Sequence, residues 1–168
     1  MVGMGIILVY AIVASVATIV SQAFILWKIV SLGVFLLALW LAVQRDTYLP
    51  FLGYAAIPSS VIFEPTAPSN ANVYLTLPIN APNGTKVMYW GAKPTKMTLP
   101  NPWEAYDHFA NAGVVEVQDE KATIRFHCPA KYRIPGGYEL KRHIHYRVQT
   151  DDGMFGPVET KYVDCENL

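Results

Sequence analysis

Residues 1–43 read MVGMGIILVYAIVASVATIVSQAFILWKIVSLGVFLLALWLAV and decide how the chain is organised. Lys28 is the only charged side chain in this stretch. A helix needs about 20 apolar residues to cross about 30 Å of hydrocarbon, so this stretch is too long for one straight span. It predicts a transmembrane helical anchor, followed by a separate water-facing domain.

Two arrangements of the anchor fit the sequence. The first, which we favour, is a helical hairpin with spans near Met4–Ser21 and Leu26–Val43, because an unpaired apolar segment would not be left in water. The second is one span near Phe24–Val43, preceded by an apolar segment at the membrane surface or against a partner. The connection Ser21–Ala23 contains no Gly, Pro or Asn, which are the residues that usually reverse a chain.

Three side chains are candidate membrane-anchoring residues: Trp27, Lys28 and Trp40. A lysine is costly at the centre of a span, so Lys28 is expected near an interface, where its long stem can reach water. The two tryptophans fit an aromatic belt at the membrane surface, with simple lipid or core packing as the alternative. Only Lys28 and Arg45 flank the apolar stretches, so their charges do not indicate which side of the membrane carries the domain.

The remainder of the chain has an ordinary protein composition. Of the 13 basic residues, 11 follow Arg45, as do all 13 acidic residues, which gives that part a net charge of −2. This balance argues against general nucleic-acid binding. We interpret residues 44–60 as a tether rich in Pro, Gly and aromatic residues, and residues 61–168 as one domain.

Short stretches with a period of two predict strands in this domain. They are Val61–Phe63, Ala71–Leu77, Lys86–Trp90, Val114–Val117, Ala122–His127, Tyr138–Val148 and Val158–Val163. Turns are expected at Pro82–Gly84, Gln118–Glu120, Pro135–Gly137 and Asp151–Gly153, and the first two are hairpin signals. Asn101 could cap a helix running to about Asn111. The predicted fold is mainly β, an antiparallel β-sandwich of about seven to eight strands behind the transmembrane anchor.

The histidines and cysteines supply the ligand types that zinc prefers, but their spacing is only weak evidence for a metal site. His143, His145, Cys128 and Cys165 are the candidate metal ligands. The two cysteines could instead form one disulfide or remain free thiols, and the sequence leaves this open. No catalytic motif is recognisable, so we expect no enzymatic activity, no cofactor and no small-molecule substrate.

The stretch from Lys121 to Arg147 is strongly basic, with Glu139 as its only acid. It supplies the candidate partner-binding residues Lys121, Arg125, Lys131, Arg133, Lys141, Arg142 and Arg147. They could form a docking face for an acidic protein surface or for lipid phosphates. The alternative is a solvated sheet face paired with acids such as Asp151, Asp152 and Glu159.

Asn83-Gly84-Thr85 is an N-glycosylation sequon as well as a turn signal, and the sequence does not decide whether it is used.

Several longer strings carry a family resemblance. They are DTYLPFLG at Asp46–Gly53, VMYWGA at Val87–Ala92, NPWEAY at Asn101–Tyr106, CPAKYRIP at Cys128–Pro135, HIHYR at His143–Arg147 and GPVET at Gly156–Thr160. Over about Asp46–Val163 the chain resembles short membrane-anchored β-domain virion proteins of nucleocytoplasmic large DNA viruses, of the algal-virus type. The anchor is similar only in kind, and no catalytic residues follow from the resemblance.

The resemblance implies a structural virion component, a minor capsid protein between the internal membrane and the icosahedral shell. Its partners would be the lipid membrane and capsid proteins, both major and minor. The alternative is a membrane-tethered domain that binds a glycan or a host peptide during attachment or entry.

Overall fold

The computed structural model describes residues 2–44, 55–134 and 137–165. The chain divides into two compact units, Met1–Gly53 and Tyr54–Leu168. We call the second one the β unit. Over the whole chain the fold is mixed helix and sheet rather than mainly β, because two helices of 19 residues each precede the strands.

The first unit contains α1 (Val2–Val20) and α2 (Ile25–Val43), which pack against each other. We call them the helix pair. Their bounds lie close to the two spans of the predicted hairpin.

The β unit contains ten described strands and one short α-helix. The strands are β1 Ala55–Pro58, β2 Val73–Pro78, β3 Lys86–Gly91, β4 Ala112–Glu116, β5 Lys121–Phe126, β6 Tyr132–Arg133, β7 Glu139–Leu140, β8 His143–Val148, β9 Met154–Phe155 and β10 Glu159–Tyr162. The helix is α3, Pro102–Ala105.

Each described strand pair is antiparallel. The largest sheet has the order β10-β8-β3-β4, and three further pairs are β2-β5, β1-β9 and β6-β7. The central strand β8 places Tyr146 opposite Tyr89 of β3 and opposite Glu159 of β10.

Alternation builds the main hydrophobic core. In β5, Ala122, Ile124 and Phe126 are fully buried while Lys121 and Thr123 are exposed. These residues join Val73 and Leu77 of β2, Val87 and Tyr89 of β3, and Ile144 of β8 in one buried cluster. A smaller cluster gathers around Leu99, Ala105 and Tyr132.

Several predicted elements differ from the structure. Val61–Phe63 is not a strand: Ser59–Val61 forms a 3-10 helix, and the Lys86 ammonium donates to the carbonyl oxygens of Ser59 and Ile62 there. Of the predicted tether, residues 45–54 lie outside the described residues, and Ala55–Pro58 forms β1 against β9 instead of a free linker.

The predicted turns have mixed outcomes. Pro82–Gly84 does form a turn, but it connects β2 to β3, which belong to different sheets, so it is not a hairpin. Asp151–Gly153 is a turn between β8 and β9. In the third turn, residues 135 and 136 lie outside the described residues, although β6 and β7 pair on either side.

The predicted cap at Asn101 is confirmed, since its Oδ1 accepts a hydrogen bond of 2.9 Å from the Glu104 amide. The helix it starts is shorter than predicted. It ends at Ala105, and a separate 3-10 turn, Asp107–Phe109, follows with His108 at a φ of 54°.

Candidate functional site

The helix pair exposes most of its large apolar side chains and buries few residues. Leu8, Ser15 and Ala38 are its buried residues. Ser21 and Gln22 are exposed at the bend. The exposed large apolar side chains, each at least 40% accessible, are Ile6, Ile7, Val9, Tyr10, Val13, Val16, Val20, Phe24, Ile25, Leu26, Trp27, Ile29, Val30, Leu32, Val34, Leu36, Leu37, Leu39, Trp40 and Val43. Such an outward apolar surface is stable in lipid and costly in water.

Of the described helices, α2 is long and apolar enough to cross a membrane, with a mean hydropathy of 2.2. At 1.5 Å per residue its 19 residues extend about 28 Å, close to the thickness of a hydrocarbon core. This finding rests on length and composition.

The Ser21 side chain stabilises the bend between α1 and α2, where the sequence has no Gly, Pro or Asn. Its hydroxyl donates to the Thr18 carbonyl at 2.8 Å and accepts from the Ala23 amide at 3.1 Å. One side chain therefore satisfies backbone groups on both sides of the bend. A serine hydroxyl can mimic a backbone turn in this way, more weakly than Asn or Asp.

The three predicted anchor residues all lie on α2. Trp27 and Trp40 are 62% and 58% exposed on its outer surface. Lys28 is half-buried, three residues after Ile25, where α2 begins beyond the Ser21 bend. Its ammonium therefore lies at the end of the helix pair, where a long stem can reach a membrane interface.

The predicted basic residues do not form one group. Lys121 and Arg125 lie on the outward face of the β2-β5 pair, with Arg125 directly opposite the exposed Tyr74. Between them, the hydroxyls of Thr76 and Thr123 are 3.1 Å apart. We call this set of five residues the β2-β5 face.

A second basic group lies around the β6-β7 pair. Arg133 is the strand partner of Glu139, and the Glu139 carboxylate accepts a hydrogen bond from the Thr98 hydroxyl. Lys141 is exposed, and Arg142 is half-buried, with its Nη1 donating to the Pro129 carbonyl at 2.6 Å. Lys131, the remaining member, is also half-buried.

The prediction that Arg147 contacts a partner is wrong. Its side chain is 4% exposed, and its Nη1 donates to the Gly156 carbonyl at 2.6 Å. Burial lowers the pKa of its guanidinium. Arg147 therefore joins β8 to the segment before β10 instead of presenting charge to a surface.

His143 and His145 share one face of β8 and lie in a cluster of aromatic rings. Their ring centroids are 4.7 Å apart, and the rings of Tyr106 and Tyr132 pack against them. Both histidines are buried. Burial raises the pKa of the Tyr106 hydroxyl, and its hydrogen-bonded neighbour Tyr132 adds to the shift.

One hydrogen bond of this cluster shows that Nδ1 of His143 carries a proton. Its Nδ1 is 2.6 Å from the Lys141 carbonyl oxygen, which can only accept, so Nδ1 carries the proton. Its Nε2 lies 3.1 Å from the hydroxyl oxygen of Tyr132. The hydroxyl oxygens of Tyr106 and Tyr132 are 2.9 Å apart. The hydrogen bonds therefore connect the Lys141 carbonyl through His143 and Tyr132 to Tyr106.

The two cysteines are joined in a disulfide, with their Cα atoms 5.9 Å apart. Neither sulfur is then a thiolate that could bind zinc or attack a substrate. Among the described residues, no group of three or more His, Cys, Asp or Glu side chains is arranged to hold a metal ion. The pair Cys128 and Cys165 instead connects the end of β5 to the segment after β10.

Exposed aromatic side chains mark a region that the sequence did not single out. Trp103 is 67% exposed and Phe109 is 59% exposed, and the Phe109 ring stacks on Tyr106 at 6.0 Å. His108 and Phe109 have φ angles of 54° and 48°, an uncommon conformation for residues other than glycine. No sequence signal for this conformation was available, since neither residue is Gly or Asn.

Comparison of the chain with protein-family models, with curated proteins and with solved structures finds no match.

Proposed function

We propose that the protein is a membrane-anchored minor capsid protein, which links the internal membrane of a virus particle to capsid proteins through its β unit. The observation that carries the proposal is the outward apolar surface of the helix pair, with Ser15 buried on its inner side. Polar groups turned inward and apolar groups turned outward suit a lipid environment. The family resemblance of the β unit supplies the viral setting.

Both helices of the pair cross the membrane in this proposal. A hairpin returns the chain to the side on which it entered, so residues 2 and 44 lie on the same side. The β unit, which follows, remains at the surface of that side. A double pass leaves neither apolar helix in water.

In this proposal the β unit is an antiparallel sandwich with a core of six strands, fewer than the seven to eight expected from the sequence. Its layers are the four-stranded sheet and the β2-β5 pair. Support comes from the main core, to which Leu77 and Ile124 contribute from one side and Val87 and Ile144 from the other.

The β2-β5 face is the proposed contact with a capsid protein. It combines two cations with an exposed tyrosine that is 65% accessible, and threonines fill the space between them. Tyrosine and arginine are enriched at protein interfaces, and the cations favour an acidic partner surface. The face belongs to a rigid strand pair, so its side chains are held in a fixed register.

Cross-linking in purified virus particles tests the proposal. With an amine-reactive reagent, Lys121 is expected to link to a capsid protein, whereas Lys28 in the helix pair is expected to give no such link. If the chain is recovered only from infected-cell membranes, with no link to any capsid protein, the proposal is wrong.

A charge-reversal comparison tests the contact face itself. Lys121→Glu with Arg125→Glu is expected to lower the amount of the chain in particles, because the charge complementarity is lost. Lys96→Glu with Lys161→Glu, at two exposed lysines outside the face, is the control matched in charge. Equal incorporation of the two variants would contradict the assignment of the β2-β5 face.

A second candidate function is recognition of a glycan or host peptide, and the exposed Trp103 and Phe109 favour it. Exposed aromatic rings are a feature of binding sites, and Phe109 also has an uncommon positive φ. Trp103→Ala would then abolish binding on a glycan array or to a peptide library. An absence of binding by the unmodified protein would remove this candidate.

A further inference from the structure

The turn between β2 and β3 presents an asparagine in a modification sequon. Asn83 is exposed, Gly84 follows with a φ of 86°, and Thr85 completes the sequence Asn-Gly-Thr. The turn is held by backbone bonds, from Thr85 to Pro82 at 3.1 Å and from Gly84 to Val117 at 2.9 Å. The Asn83 side chain is therefore exposed to solvent on a hydrogen-bonded turn.

The hydrogen bonds of the Asn83 side chain leave its nitrogen available. Its Oδ1 accepts from the Asp119 amide at 2.9 Å, and among the described residues its Nδ2 makes no hydrogen bond. A glycan attached to Nδ2 keeps the amide carbonyl intact. The bond to Asp119 would therefore survive glycosylation, and the turn would lose none of its contacts.

The disulfide gives an independent indication of the compartment. Forming it removes two protons and two electrons from the thiols of Cys128 and Cys165, which requires an oxidant such as a lumenal thiol oxidoreductase. Structural disulfides form and persist in oxidising compartments, and reducing cytosol keeps thiols free. N-linked glycans are added in the same kind of lumenal space.

We infer that the β unit matures on the lumenal side of a cellular membrane and that Asn83 receives an N-linked oligosaccharide there. The donor is a lipid-linked oligosaccharide diphosphate. A bond forms between Nδ2 and the first sugar carbon as the bond from that carbon to the diphosphate oxygen breaks. Nδ2 loses one proton, and the departing lipid diphosphate takes the electron pair.

Translation of the full chain into microsomes tests this inference. The expected product carries one glycan, seen as a single mobility shift that an N-glycosidase removes. Thr85→Ala should abolish the shift and Thr85→Ser should retain it. The pair is well matched, because the Thr85 hydroxyl makes no hydrogen bond among the described residues. Maleimide labelling under denaturing conditions, with and without prior reduction, reports whether the disulfide has formed.

Protease added outside the microsomes separates the two parts of the inference. The β unit should be protected until detergent opens the vesicles. A protected but unshifted chain would overturn glycosylation at Asn83, and digestion of the β unit from outside would overturn its lumenal placement. Neither result depends on capsid binding, so the proposed function is tested separately by cross-linking in particles.

Discussion

The hydroxyl of Tyr89 on β3 donates a hydrogen bond of 2.7 Å to the carbonyl oxygen of Arg125 on β5. Tyr89 is fully buried, and burial raises the pKa of its hydroxyl despite the opposing effect of this bond. The bond connects the four-stranded sheet to the β2-β5 pair through the core. It is therefore a polar link inside the main core, where the two sheets also meet through apolar side chains.

Tyr89→Phe should lower the free energy of unfolding by about 1–2 kcal/mol, because it removes this buried hydrogen bond and keeps the ring. The urea midpoint of the detergent-solubilised chain should fall with an unchanged slope. Tyr74→Phe, at an exposed tyrosine of β2, is the control and should have an effect within about 0.5 kcal/mol. Equal midpoints for the two variants would show that the link contributes nothing.

Gly113→Ala should destabilise the β unit by about 1–3 kcal/mol or more, because a Cβ atom at this position would overlap the Tyr89 side chain and the Thr66 carbonyl oxygen. Thr66 pairs with Val114 through two backbone bonds of 2.9 Å, and these would have to shift. Faster amide exchange at Val114 is the local measurement.

The control for this substitution is Gly156→Ala. A Cβ atom at Gly156 would meet its nearest neighbours at 3.4 Å, an ordinary contact. If both alanine variants unfold at the same urea concentration, the close approach of β4 to Tyr89 does not limit stability.

The sequence predicted the long alternating strands because their pattern is local. β3 and β5 lie close to their predicted bounds, since Val87, Tyr89, Ile124 and Phe126 alternate with polar residues. Strand partners are set by tertiary packing and left no such signal. The Pro82–Gly84 turn therefore looked like a hairpin although it passes between sheets.

The wrong prediction that Arg147 is at the surface has a related cause. On β8, His143, His145 and Arg147 alternate with Ile144, which resembles a strand with one solvated face. However, β8 lies between β10 and β3, and Tyr106 and Tyr132 cover the histidines on the polar face. These tyrosines are distant in sequence, so their cover could not be read from the alternation of β8 itself.

Replacing Cys128 and Cys165 with serine should lower the free energy of unfolding by about 3–4 kcal/mol, because the bridge closes a long loop. The two residues are separated by 37 positions, and Cys165 is buried in the main core. Urea unfolding of the double variant, compared with the oxidised and the reduced protein, measures the effect. If reduction leaves the midpoint unchanged, the bridge is not formed in the native protein.

Asp152 should make stability depend on pH in the acidic range. Its Oδ1 accepts hydrogen bonds from the Thr150 hydroxyl and from the Met154 amide. In the folded state these bonds hold the pKa of the carboxyl below its ordinary value of 3.8. The unfolded chain therefore takes up the proton at a higher pH than the folded chain. The contribution of Asp152 is present above the unfolded pKa and is lost as pH falls through the folded one.

Asp152→Asn should therefore be less stable than the unmodified protein at about pH 6, and the difference should shrink towards about pH 3. Urea midpoints at several pH values, at constant ionic strength, measure this convergence. Asp151→Asn is the matched control, since the neighbouring exposed carboxylate accepts no hydrogen bond among the described residues. Parallel pH curves for Asp152→Asn and the unmodified chain would contradict the assigned role, because only a carboxylate that is bonded more strongly in the folded state produces convergence.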